Sequence, residues 1–304
     1  MILESVITCP SCGTVKLETM PTDACQFFYK CTGCGTKLRP KPGDCCVYCS
    51  YGSLPCPPMQ AEHYELLRDM TTVQLPAIPT SDEYWAALKP HLPIFSLEEQ
   101  RAALALYREL AKGEPVDEAR LARALAISVA EARALLHRPP IKGLTYTDDR
   151  GRILGFGGLA MVPMHHRFEV DGRNLSTWCA WDSLFIPEIL GRPARVISAD
   201  PQSGETVRLV VTPERIDQVE PSETVISFVR PDRQIFGTSA ANVMAKFCHF
   251  IFFFASRRSG EHWTKKNPGT FLSSLDEAFG LAKRLNANKF GAALAISGGA
   301  LEPI

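Results

Sequence analysis

Cys179 and Asp182 stand three residues apart in Ser176-Thr-Trp-Cys-Ala-Trp-Asp-Ser-Leu-Phe-Ile-Pro, and Cys248 lies in the apolar run Lys246-Phe-Cys-His-Phe-Ile-Phe-Phe-Phe-Ala-Ser256. The pattern predicts a helix over 177–190. If Ser176 or Thr177 caps it, Cys179 falls in the first turn, where free N–H groups and the helix dipole would lower a thiol pKa from about 8.5. Asp182, three residues on, then shares its face. A nucleophilic sulfur and a proton carrier would look into one pocket walled by Trp178, Trp181 and Phe185. A chance Cys-x-x-Asp is usually a buried cysteine beside a helix-surface aspartate. Here a second thiol is available to the interior, because the segment around Cys248, expected as a helix over roughly 240–255, must be buried.

Nine of the eleven cysteines occupy the first 56 residues. Cys9-Pro-Ser-Cys12-Gly and Cys31-Thr-Gly-Cys34-Gly are two CxxC knuckles at a spacing that suits a four-thiolate zinc ribbon. Two intervening residues let one tight turn aim both sulfurs at one ion, and Gly13 and Gly35 can take the positive φ that such turns need. Strands are expected over 15–20 and 26–30, with Phe27, Phe28 and Tyr29 available for a small core. So small a unit would scarcely fold without structural zinc. Gly43-Asp-Cys-Cys-Val-Tyr-Cys49, followed by Cys56, resembles a family of stand-alone cysteine-rich proteins named for its GDCCVxC signature, a likeness that implies little chemistry. Two readings stay open there: Cys46 and Cys49 replace one knuckle as zinc ligands, or Cys45, Cys46, Cys49 and Cys56 are further thiolates suited to a soft ion. Cys25 is expected only to pack.

The elements that must position these groups give an α+β chain: a zinc-ribbon-like module over 1–60, a proline-rich linker over 61–80, a winged-helix-like helical domain over 81–160, and a mixed, mostly antiparallel sheet with helices over 161–285. The tail, 286–304, reads as a loosely ordered end. Capping boxes open helices at Ser96 and Ser128, and short helices over 117–125 and 128–137 precede a hairpin that turns at Asp149-Arg150-Gly151, the outline of a winged helix. The candidate recognition helix, mostly alanine and leucine, offers Arg133 and few other donors to bases or phosphates. Thirty-three basic residues balance 33 acidic ones, so nucleic acid is not an expected partner. No export signal or membrane span is read, and clustered thiols in a reducing cytoplasm point to metal binding or catalysis. No Gly-rich phosphate loop follows a strand, so no organic cofactor is expected.

Residues from about 81 to 285 resemble the organomercurial (alkylmercury) lyases. The likeness rests on His166-Arg-Phe-Glu-Val-Asp-Gly-Arg, Thr177-Trp-Cys-Ala-Trp-Asp-Ser-Leu, Ile186-Pro-Glu-Ile-Leu-Gly-Arg-Pro-Ala, Val219-Glu-Pro and Phe247-Cys-His-Phe-Ile-Phe-Phe-Phe-Ala-Ser. It implies that Cys179 and Cys248 are mercury-binding catalytic cysteines and Asp182 the proton carrier, in protonolysis of a carbon–mercury bond to hydrocarbon and mercury(II). It further implies an organomercurial substrate, a role in mercury detoxification, and a thiol or mercuric reductase as acceptor of the ion. Two further cysteines of many relatives are replaced here by Asp200 and His249. The leader could accept mercury(II) from the site or guard it from cellular thiols. The competing expectation is a non-catalytic binder or sensor of soft metals.

Overall fold

The computed structural model describes residues 3–22, 25–41, 44–60, 79–230 and 240–297. Most of the expected linker, 61–78, lies outside them. Cα packing divides the chain into two compact units: 1–77 with 147–152 and 267–269, and the remainder.

In the first unit, β1 (Glu4–Thr8) pairs antiparallel with β2 (Val15–Thr19), and β3 (Tyr29–Lys30) with β4 (Lys37–Leu38). Each CxxC knuckle sits in the turn of one hairpin, with Gly13 and Gly35 at φ 68° and 75°. Ile7, Met20, Tyr29, Leu38, Val47 and Tyr48 fill a small core together with cysteines. Of the three aromatics expected inside, only Tyr29 is buried. Phe27 and Phe28 are exposed, and Phe28 lies under the Lys37 ammonium, 3.8 Å from its ring centre. A two-residue strand has one inward face, and Tyr29 takes it.

The second unit is α+β around an eight-stranded sheet of order β12-β11-β10-β8-β9-β7-β6-β5. Its strands are β5 (Thr145–Thr147), β6 (Ile153–Phe156), β7 (Leu159–Ala160), β8 (His166–Val170), β9 (Arg173–Thr177), β10 (Ala194–Ala199), β11 (Thr206–Val211) and β12 (Ile216–Glu220). Antiparallel pairings run from β12 to β6. Alternation such as buried Val207, Leu209 and Val211 in β11 gives the sheet one apolar face. A smaller antiparallel sheet places β13 (Val225–Val229) between β14 (Phe253–Phe254) and β15 (Thr270–Ser273).

Helices α2 (Ser81–Leu88), α3 (Leu97–Ala111), α4 (Glu118–Leu125), α5 (Val129–His137) and the single turn α6 (Pro139–Lys142) precede the sheet. Capping boxes at Thr80, Ser96 and Ser128 open three of them, the last two as expected. The helical pair and hairpin do follow one another as in a winged helix. The hairpin, however, is the edge of the eight-stranded sheet, so 81–160 and 161–285 share one sheet where two separate domains are expected. Arg133, the principal donor of the candidate recognition helix, is committed to Glu118 at 2.8 Å.

Two helices depart from expectation. The segment around Cys248 is not one long helix: α8 (Ala240–Lys246) ends, a 3-10 turn covers Cys248–Phe250, and β14 follows. The tail is not loose over its first part, because α10 runs Leu275–Ser297 and buries Asn286, Phe290 and Ala293. Ser274 and Glu277 bond each other's backbone N–H groups, which fixes its start. Among the described residues no helix is long and apolar enough to cross a membrane.

Candidate active site

Cys179 lies in neither a strand nor a helix. It occupies the connection between β9, which ends at Thr177, and α7 (Asp182–Leu190). The helix begins two residues after Ala180, so the expected first-turn placement and lowered thiol pKa are not what the structure shows. Ser176 and Thr177 finish a buried strand and cap nothing: the Thr177 hydroxyl donates to the Cys179 carbonyl at 2.9 Å. Asp182 opens α7, and its Oδ2 accepts the Cys179 amide at 2.8 Å. The Ser183 hydroxyl donates to the Ala180 carbonyl. Local hydrogen bonds therefore fix the sulfur and the carboxylate relative to each other.

Cys248 arrives from the 3-10 turn. Ser227 of β13 holds that turn by donating to the Phe250 carbonyl at 2.7 Å and accepting the Phe252 amide at 3.0 Å. The Ala180 amide donates to the Ile251 carbonyl at 3.1 Å, tying the two cysteine-bearing segments directly. As a result Cys179 Sγ, Cys248 Sγ and an Asp182 carboxylate oxygen all lie within 4.8 Å of one another. Trp181 packs edge-on against Phe185, Phe228 and Phe247, and its indole N–H donates to the Ala278 carbonyl.

Exposure of these groups is 0% for Cys179, 3% for Cys248 and 7% for Asp182, which makes the site almost dry. Desolvation dominates its electrostatics. Burial pushes the Cys179 thiol well above its ordinary range and raises Cys248, partly offset by a hydrogen bond from Cys179. Burial also raises Asp182 to about 7, against the lowering effect of the Cys179 thiol and amide. A carboxyl with such a pKa can exist in either protonation state near neutrality.

Two contributors are absent from the sequence reading. Gly158, in the turn from β6 to β7, has φ 109°, and a Cβ there would meet Asp182 Cγ at 2.6 Å. Its carbonyl accepts the Trp178 amide at 2.8 Å. Only glycine lets the turn lie flush against the carboxylate. Lys289, partly buried on α10, is brought down to about 8 by desolvation, while the Asp182 and Cys248 charges oppose that fall. The Gly157-Gly158 pair is a visible sequence signal; a lysine 41 residues beyond Cys248 carries none. Asp200 serves structure: its oxygens accept the amides of Gln202, Ser203 and Ala255.

The remaining thiols form two separate groups, Cys9, Cys12, Cys31 and Cys34, and Cys45, Cys46, Cys49 and Cys56, each with all sulfurs within 4.8 Å. Cys46 and Cys49 thus lie with Cys45 and Cys56 and substitute for neither knuckle. In the first group the Cys9 and Cys34 sulfurs are 3.9 Å apart and those of Cys12 and Cys31 3.5 Å. Backbone N–H groups of Cys34 and Gly33 hold Cys31 down to about 6, and Thr36 lowers Cys34. In the second, burial raises Cys45 and Cys49 to about 12. Cys25 does not pack inside: it is exposed, with its sulfur 3.7 Å from Cys56 and 3.9 Å from Cys45.

The alkylmercury lyase family model matches residues 159–287. Alkylmercury lyase of Staphylococcus epidermidis is 37% identical over 182 residues, covering 60% of this chain and 80% of the relative. That of Pseudomonas putida is 38% identical over 178 residues, 59% and 79%, and that of Streptomyces lividans 38% over 180 residues, 59% and 79%. Among solved structures, the mercury-bound form of MerB2 shares the fold, with a TM-score of 0.54 over 67% of this chain and 96% of that one at 20% identity. Three reactive groups brought together in a dry core thus sit within a stretch of sequence that these relatives share, and the chain belongs to the alkylmercury lyase family.

Proposed function

We propose that the alkylmercury lyase activity of this chain runs through Cys179, Asp182 and Cys248. The observation that carries this reading is the convergence of two sulfurs and one carboxyl within 4.8 Å, all nearly devoid of solvent. Mercury(II) is a soft ion and prefers thiolate sulfur. Of the two thiols Cys248 ionises more readily, because Cys179 donates a hydrogen bond to it and the Lys289 cation lies within electrostatic reach. Cys248 captures R–Hg⁺, and its proton leaves with the displaced ligand. Cys179 then adds its sulfur to mercury and gives its proton to Asp182. With two sulfurs donating electron density the carbon–mercury bond weakens, and Asp182 delivers the proton to carbon. R–H departs with the bonding pair, mercury remains in the +2 state on two sulfurs, and Asp182 returns to carboxylate. Excluding water keeps the proton on this path.

Cys9, Cys12, Cys31 and Cys34 are proposed to hold structural zinc. Four thiols with neighbours 3.5–3.9 Å apart fit a tetrahedral site, whose sulfur edge is about 3.8 Å for a Zn–S bond of about 2.3 Å. The ion would cross-link the two hairpins and supply no chemistry to the lyase site. The acceptor of the product is proposed to be a thiol, whether a small molecule or a cysteine pair of a mercuric reductase.

Headspace gas chromatography over the protein, methylmercury and excess thiol tests the mechanism. Methane should accumulate with the native chain, while Asp182→Asn should bind mercury and release none. Continued methane release from that variant would remove Asp182 from the reaction, whereas mercury binding without methane release by the native chain would favour a non-catalytic binder.

A further inference from the structure

Cys25, Cys45, Cys46, Cys49 and Cys56 form one connected set of sulfurs. Cys45 lies 3.4 Å from both Cys49 and Cys56, Cys49 lies 3.7 Å from Cys46 and from Cys56, and Cys25 reaches Cys56 at 3.7 Å and Cys45 at 3.9 Å. The set differs from the knuckle tetrad in number and in access. Four thiols complete a tetrahedral ion, as at Cys9, Cys12, Cys31 and Cys34, whereas here a fifth stands against the group. Cys46 and Cys56 are buried while Cys25 and Cys45 are exposed, so the set runs from solvent inward. Thiol exchange at a soft ion proceeds by adding an incoming sulfur before an outgoing one leaves, and a surplus thiol beside a tetrad is what that route requires.

We propose that these five cysteines form an exchangeable acceptor site for mercury(II), the soft ion that the lyase site produces, with Cys25 as its entry thiol. Transfer is a ligand exchange without redox change. Mercury leaves Cys179 and Cys248 on a low-molecular-weight thiol and forms two bonds to cluster sulfurs. The protons of the incoming thiols pass to the sulfurs left behind. The lyase reading enters only as the source of the ion.

The test uses the full-length, zinc-loaded chain with Cys179→Ala and Cys248→Ala, which removes the lyase sulfurs. After incubation with mercuric chloride, excess glutathione and gel filtration, it should retain about one equivalent of mercury while its knuckle zinc stays in place. Adding Cys45→Ser and Cys49→Ser should abolish that retention. Cys25→Ser in the otherwise native chain should leave methane release unchanged, while in the Cys179→Ala and Cys248→Ala background it should slow mercury uptake at least tenfold, and being an exposed single change it keeps the tetrad. Retention of no mercury, release of knuckle zinc in exchange for it, or a second zinc that mercury does not displace would overturn the proposal. Loading from mercuric chloride needs no turnover, so failure here leaves methane release intact, and failure of methane release leaves this uptake intact.

Discussion

The two cysteine-bearing regions hold their sulfurs together by opposite means. In the N-terminal module, short hairpins and a five-residue helix, α1 (Val47–Tyr51), enclose a core in which cysteines themselves are major members. In the lyase unit, the two thiols are minor guests of a large aromatic and aliphatic core. Thiols arranged by a metal depend on that metal for their geometry. Those at 179 and 248 are placed by a strand end, a 3-10 turn and backbone hydrogen bonds, none of which needs an ion. The site proposed to load and unload an ion on every turnover is built on the scaffold that does not need one.

Metal removal should separate the two regions most sharply. Structural zinc contributes on the order of 10 kcal/mol to folding of small thiolate modules. Hydrogen exchange on the chelated full chain should therefore show β1 to β4 losing protection while β8 to β11 keep theirs; equal loss in both would break the contrast. A smaller effect is expected from Asp182→Asn, which retains an oxygen for the Cys179 amide. Because the folded pKa of about 7 lies above the unfolded value, the folded state binds the extra proton, and wild-type stability falls as pH rises from about 4 to about 7. The Asn variant should be more stable by about 4 kcal/mol at pH 8 and by about 1.5 kcal/mol at pH 5, at 1.36 kcal/mol per pH unit. Denaturant titration at both pH values measures it, and a pH-independent difference would place the carboxylate in a wetter setting. Gly158→Ala should cost about 2 kcal/mol through its positive φ and the displaced carboxylate, and lower methane release at least tenfold. Ser96→Ala, removing the cap of α3 far from the sulfurs, should cost about 1 kcal/mol by thermal melting and leave methane release unchanged.

Much of the site was legible in the sequence, and the reasons differ by residue. Cys179, Asp182 and Cys248 stand out because isolated thiols are few outside the module and their flanking runs are specific. Their local setting was misread: Ser176 and Thr177 look like caps, yet both close a buried strand, and the helix starts only at the acidic residue that occupies its first position. Burial then outweighs any dipole effect on Cys179, a tertiary property that no local spacing reveals. The CxxC knuckles were readable because two-residue turns dictate their own geometry, whereas bringing Cys56 to Cys45 and Cys25 to both depends on loop closure. Helix α10 could have been found from its Ser274-x-x-Glu277 start. Lys289 could not, since its relevance comes from packing across elements distant in sequence.

The bond from the Ala180 amide to the Ile251 carbonyl has a mechanical outcome. It rivets the segments that carry Cys179 and Cys248 to each other, so widening the gap between the two sulfurs to admit a bulky organic group must stretch or break that rivet. Ligand size would then be felt in the backbone before it is felt by either sulfur.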